Sequence, residues 1–209
     1  VYIADFGNPT YAIKEFTPNG TFIQSIGSFG LGPGLFISPG GVGVDKENNL
    51  YATDFGENNN VQKFDQNGNL LMSFGSPGIS DGQFNNPADV AVDSNNNIFV
   101  TDSSNNRVQK FDQNGNYLMK FGSFGSGNGQ FRTPIDLAID PSNNIYVSDS
   151  DNNRIQVFNN NGTYITQFGN TGALHEMIED PVGIALNSQG DVYVADGRDT
   201  DIHVFYPIP

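Results

Sequence analysis

Two histidines, His175 and His203, and a recurring aspartate are the side chains of this 209-residue sequence best suited to ligate a metal or move a proton. Cysteine is absent, so thiolate catalysis, disulfides and cysteine-type zinc sites are excluded together. Two histidines fall short of a three-histidine zinc site within this segment. His175 stands beside Glu176 in the linker from Asn170 to Asp180, where a lone histidine is ordinarily solvated. His203 takes a place that Gln109 and Gln156 hold in equivalent segments, which reads as a strand residue. The aspartate recurs as Asp5, Asp54, Asp102, Asp149 and Asp196, spaced 49, 48, 47 and 47 residues apart. Chemistry needs a carboxylate once, whereas one per repeat marks architecture, with each accepting backbone N–H bonds in the turn that follows it. Asp65-Gln66-Asn67-Gly68-Asn69 and Asp93-Ser94-Asn95-Asn96-Asn97 imitate the opening of a calcium loop. Ile98 occupies the glycine position of such a loop and no bidentate Glu follows, so both read as hairpins in which Asp and Asn cap their own turns.

The elements that must position these groups follow from the repeat. Each unit has four segments of five or six residues, rich in Val, Ile, Phe, Tyr and Thr and bounded by Asn, Gly, Asp or Pro, which is strand-and-turn chemistry. The first segment (Gly41 to Val44, Asp89 to Val92, Asp136 to Ile139, Gly183 to Leu186) alternates branched with small residues, as a crowded innermost strand requires. The second is nearly all apolar and suits a strand covered on both faces. The fourth mixes Lys, Gln, Ser and Thr with aromatics and suits an outer edge. Asn-Gly at 19-20, 67-68, 114-115 and 161-162 supplies the positive φ of a tight hairpin between third and fourth strands. Units of 47 to 49 residues with four strands are propeller blades. The fold expected is all-β, with a partial blade over 1–27, blades near 40–75, 87–122 and 134–169, and a partial blade over 181–209.

Composition narrows the function. Lys+Arg 9 against Asp+Glu 23 gives a net charge of −14, which repels a phosphate backbone and argues against nucleic acid or an anionic membrane surface as partner. No stretch reaches the roughly 18 apolar residues of a membrane span.

The string Gly-Gln-Phe-x-x-Pro-x-x-[Val/Leu]-Ala-[Val/Ile]-Asp, then Asn-Ile-[Phe/Tyr]-Val-[Thr/Ser]-Asp and Asn-Asn-Arg-[Val/Ile]-Gln, resembles the NHL repeat. Gly82 to Asp112 and Gly129 to Phe158 carry it most closely. The resemblance weakens at Pro9 to Ile13 and at Asp201, which stands where Arg154 stood. It implies a six-bladed ring of four-stranded antiparallel blades. The strands count to 18, so about 70 further residues or a partner's strands are expected to complete six blades, with a five-bladed ring having two incomplete blades as the alternative. The family includes lyases that use histidine with zinc or another divalent ion, and lactonase-like propellers hold calcium in the central channel. Here that ion would fall to Asp89 and Asp136, which open two adjacent inner strands. No other metal or cofactor is expected.

The remaining candidates are loops and surface turns. Arg107 and Arg154 are expected to bond carbonyls or carboxylates of a neighbouring blade, and Phe84 and Phe131 to plug the seams. Sequence varies most between second and third strands, and between one blade and the next. Phe55, Glu57, Ser103, Arg132, Asp151, His175, Glu176, Arg198 and Asp199 are therefore the candidate binding residues on one loop face. Asn19-Gly20-Thr21 and Asn161-Gly162-Thr163 are N-glycosylation sequons. The expectation is a non-enzymatic binding or scaffold propeller that meets a protein or glycan partner in an extracellular or cell-envelope assembly. The alternative is a divalent-metal lyase or lactonase-like enzyme with ligands in further blades.

Overall fold

A computed structural model describes residues 1–7, 10–169, 177–198 and 201–206, and these form five antiparallel sheets in chain order. The first contains β1 (Tyr2–Asp5), β2 (Ala12–Phe16) and β3 (Phe22–Ile26). The second contains β4 (Pro39–Val44), β5 (Leu50–Asp54), β6 (Asn60–Phe64) and β7 (Leu70–Phe74). The third contains β8 (Pro87–Val92), β9 (Ile98–Asp102), β10 (Arg107–Phe111) and β11 (Tyr117–Phe121). The fourth contains β12 (Pro134–Ile139), β13 (Ile145–Asp149), β14 (Arg154–Phe158) and β15 (Tyr164–Phe168). The fifth contains β16 (Pro181–Leu186), β17 (Val192–Asp196) and β18 (Ile202–Phe205). Each sheet runs in simple meander order, which is the blade predicted from the repeat. Five blades are present, two of them three-stranded, where the resemblance implies six.

Inner strands meet across blades: β4 packs on β8, β8 on β12 and β12 on β16. Among the described residues, the first and last sheets do not show the packing that joins each neighbouring pair. Crowding at the hub explains the small residues of the first segment. A Cβ on Gly43 would come within 2.5 Å of the Val90 carbonyl oxygen, and one on Gly41 would collide with the Asp89 carboxyl. The second strands of the three middle blades are covered on both faces, with β5 and β9 buried along their whole length, while β1 and β17 leave Ile3 and Tyr193 exposed.

The outer hairpins turn on their glycines. Gly68, at φ +79°, donates its N–H to the Asp65 carbonyl at 3.0 Å, and Gly115 repeats the bond to Asp112. Gly supplies the positive φ, while the Asn before it keeps ordinary backbone. Phe36, Phe84 and Phe131, all fully buried, close the seams between blades. Phe84 lies 6.4 Å from Phe74 of the preceding blade and 5.5 Å from Phe111 of its own. Phe131 stands likewise between Phe121 and Phe158, and Ile178 fills the last seam. Burying one such ring contributes roughly 1.5–3 kcal/mol.

Candidate functional site

The recurrent aspartates are fastenings. Asp102 accepts the Asn85 N–H at 2.7 Å, Arg107 Nε–H at 2.7 Å, Gln109 Nε2–H at 3.1 Å and an Asn105 amide at 2.9 Å. Asp149 repeats the pattern with the Arg132 N–H, Arg154, Gln156 and Asn152. The sequence places these backbone donors in the turn after the second strand. The structure moves them to the connector that enters the blade, 17 residues earlier. Asp196 also takes an N–H from its own turn, that of Arg198 at 2.9 Å, and Asp5 takes that of Gly7 at 3.0 Å. Arg107 bonds a carboxylate of its own blade, and its second arm reaches the Ser80 and Gln83 carbonyls of the entering connector at 2.8 and 2.9 Å. Burial pushes the Asp149 carboxyl up from the ordinary carboxylate value, against the donors that favour its charged form.

Blade 2 lacks the arginine. Asn60 stands in its place with its Oδ1 buried and unpartnered, and burial raises the Asp54 carboxyl. In the fifth blade His203, half-buried in β18, puts Nε2 3.5 Å from Asp196 Oδ2. Spacing alone does not show two further roles. Asn59, Asn106 and Asn153, all in left-handed backbone, take N–H groups from the next connector at 2.7, 3.1 and 3.0 Å. Gln109 and Gln156 clamp the Gln83 and Gln130 carbonyls. The repeated Asn-Asn-Arg-x-Gln run is the signal that carries both.

At the hub, Asp89 and Asp136 come together. Asp89 Oδ2 accepts the Leu137 N–H at 3.2 Å, and Asp136 accepts the Ile184 N–H, so each carboxyl ties its blade to the next. Burial, and then the Asp136 charge, push the Asp89 carboxyl well above the ordinary carboxylate value. Among the described residues no group of three or more His, Cys, Asp or Glu side chains could hold a metal ion.

Loops after the second strand and connectors into the first form one face, where Asn86 donates to Ser104 and Thr133 to Asp151. Glu57, Arg132, Asp151 and Arg198 are exposed there and Phe55 is half-buried. Ser103 is buried, so the hydroxyl this loop presents is that of Ser104, because the chain tucks Ser103 under a single 3₁₀ turn. Arg132 lies 5.3 Å over the Phe124 ring, and Arg198 pairs with Glu179 at 3.0 Å. His175, Glu176 and Asp199 lie outside the described residues. Asn19 and Asn161 are exposed on the outer hairpins. Two open hollows lie on the surface. One of ≈ 680 Å³ lies beside β1 and β4, and one of ≈ 370 Å³ lies over Asp93, Asp140 and Asn187 at the opposite mouth of the hub. Neither has a histidine in its wall.

The NHL repeat matches at residues 84–111, 131–158 and 179–205. No curated protein matches the sequence. Among solved structures, a protein of unknown function from Bacteroides caccae is similar, with TM-score 0.66 and 16% identity over 90% of this chain and 65% of that one. Virginiamycin B lyase from Staphylococcus aureus follows at TM-score 0.65 and 14% identity, over 97% of this chain and 65% of that one. The WD40 β-propeller domain of Doa1 gives TM-score 0.63 and 14% identity over 94% of this chain and 58% of that one. The chain thus spans about two thirds of the length of such propellers, and these likenesses establish the fold alone.

Proposed function

We propose that this propeller, which carries three NHL repeats, is a non-enzymatic binding or scaffold domain. Its loop face engages a protein or glycan partner in an extracellular or cell-envelope assembly. One observation carries the reading. Buried Asp, Arg and Gln side chains at fixed register are consumed by the frame, while at the neighbouring register Glu57, Ser104 and Asp151 differ from blade to blade and stay exposed. Variation on a constant frame is how loops bind. The exposed sequons at Asn19 and Asn161 support the location, and a mass shift on glycosidase treatment of protein secreted from a glycosylating host tests it. The separated first and last sheets support membership of a larger ring, of six blades as the NHL repeat implies.

Photo-crosslinking from position 132, compared with position 118 on the outer rim, tests the face. Adducts with a partner are expected from 132 and not from 118. Equal adducts from both positions would remove the face from consideration. A second reading, a divalent-metal lyase or lactonase-like enzyme with its ligands elsewhere, draws on the likeness to virginiamycin B lyase. Elemental analysis of the full-length protein separates the two, since a stoichiometric divalent ion favours the enzyme.

A further inference from the structure

The connector tips carry apolar side chains that stay largely exposed, although Phe29 touches the Tyr11 ring and Arg132 lies over Phe124. At three successive blades a glycine carbonyl at the tip, Gly30, Gly78 or Gly125, accepts a side-chain amide from Asn58, Asn105 or Asn152 at 3.4, 3.0 and 2.9 Å. Each tip is thereby pinned against the loop that follows the second strand. On either side of the glycine the side chains face solvent. Phe29 and Leu31 are 60% and 59% exposed, Ile79 is 77% exposed with exposed Pro77 beside it, and Phe124 is 68% exposed. Scattered apolar residues on a surface need no account, but the same register left apolar on three tied-down loops is a pattern.

Charge flanks these tips. Glu57 and Asp151 each precede a pinning asparagine, are exposed, and form no ion pair among the described residues. The chain as a whole carries −14. An acidic partner would be repelled, and a basic one drawn in. The middle tip offers proline and isoleucine, which suit an aliphatic side chain better than a sugar ring.

We propose that the three tips form a docking arc for an extended, basic polypeptide segment with apolar side chains, laid across consecutive blades. Its aliphatic side chains sit on Phe29 and Leu31, on Pro77 and Ile79, and on Phe124, and its Lys or Arg side chains lie beside Glu57 and Asp151. The proposal rests on the loop-face reading and narrows its partner to a basic peptide.

Fluorescence anisotropy with a short labelled peptide alternating Leu, Pro and Lys tests it, with a Glu-for-Lys peptide and a glucan hexasaccharide as comparisons. The basic peptide is expected to bind in a salt-sensitive way. Combining Phe29→Ser, Ile79→Ser and Phe124→Ser should weaken it at least about tenfold, and Glu57→Lys with Asp151→Lys should weaken it as well. Leu71→Ser with Leu118→Ser, which removes equally exposed rim residues, should leave it unchanged, and melting curves should confirm that every variant folds. Full binding by the tip variant, equal binding of the Glu peptide, or no binding of the basic peptide by the wild type each overturns the arc. Hydrogen-exchange protection of the same loops by the hexasaccharide, without peptide binding, would discard the peptide and keep the face. Loss of binding in the rim variant alone would move the site to the outer rim and sink both.

Discussion

Arg107 and Arg154 show what one side chain does in this frame. Each neutralises a buried carboxylate and holds two carbonyls of an incoming connector. Removing one partner of such a pair strands a buried charge and costs about 3–5 kcal/mol. Asn60 is the natural experiment, with a buried Oδ1 that has no donor and an Asp54 carboxyl raised by burial. Asn60→Arg should supply the missing charge-assisted bonds and stabilise the protein by about 1–2 kcal/mol, seen as a higher melting temperature at pH 7. An unchanged or lower value would show that the longer loop of blade 2 cannot seat the guanidinium.

Between elements, the fastening whose strength should vary with pH is that of Asp89, beside Asp136. Asp136 is the charged group that raises Asp89, while β4 offers glycines there and β16 its backbone. A carboxyl raised in the folded state binds its proton more tightly folded than unfolded. Its contribution is therefore whole below about pH 4 and falls as pH climbs through the raised value. Asp89→Asn keeps a donor for Asp136 and removes the second charge. It should raise stability by on the order of 1 kcal/mol at pH 8 and confer little at pH 4, read from melting curves across pH. A pH-independent gain would mean that the pair does not titrate.

The strands themselves were legible, because four segments of fixed composition recurred at fixed spacing and Asn-Gly marked the outer hairpins. Phe84 and Phe131 were legible as seam residues for the same reason. The partners of Asp102 and Asp149 were not, because a carboxylate that accepts backbone N–H groups leaves no imprint on the residue type of its donor 17 positions away. That Asp89 and Asp136 open adjacent inner strands was legible, whereas the N–H each accepts from the next blade was not, because it depends on how neighbouring inner strands stagger. Ser103 read as a surface loop residue because a 3₁₀ turn that tucks a small side chain inward resembles an open loop in sequence.

For the molecule as a whole, each blade touches only its neighbours, so stability is distributed along an array. Blades 3 and 4 have four strands and an arginine clasp, blade 2 has four strands without the clasp, and the first and last sheets have three. Amide hydrogen exchange should run fastest in β1–β3 and β16–β18 and slowest in β9, β10, β13 and β14. Uniform protection across all five sheets would mean that the array opens as one unit.

The bonds between blades also have a constant stride. Leu137 to Asp89 and Ile184 to Asp136 each span 48 residues, and Ser94 to Asn143 spans 49. Copying or dropping one entire module therefore restores the same bond types at the new junction, whereas a change of a few residues inside a strand throws its ladder out of step. Heritable change in such a chain has two easy routes, whole-module duplication and edits confined to connector tips. The second is where a lineage could alter what it recognises without touching how it holds together.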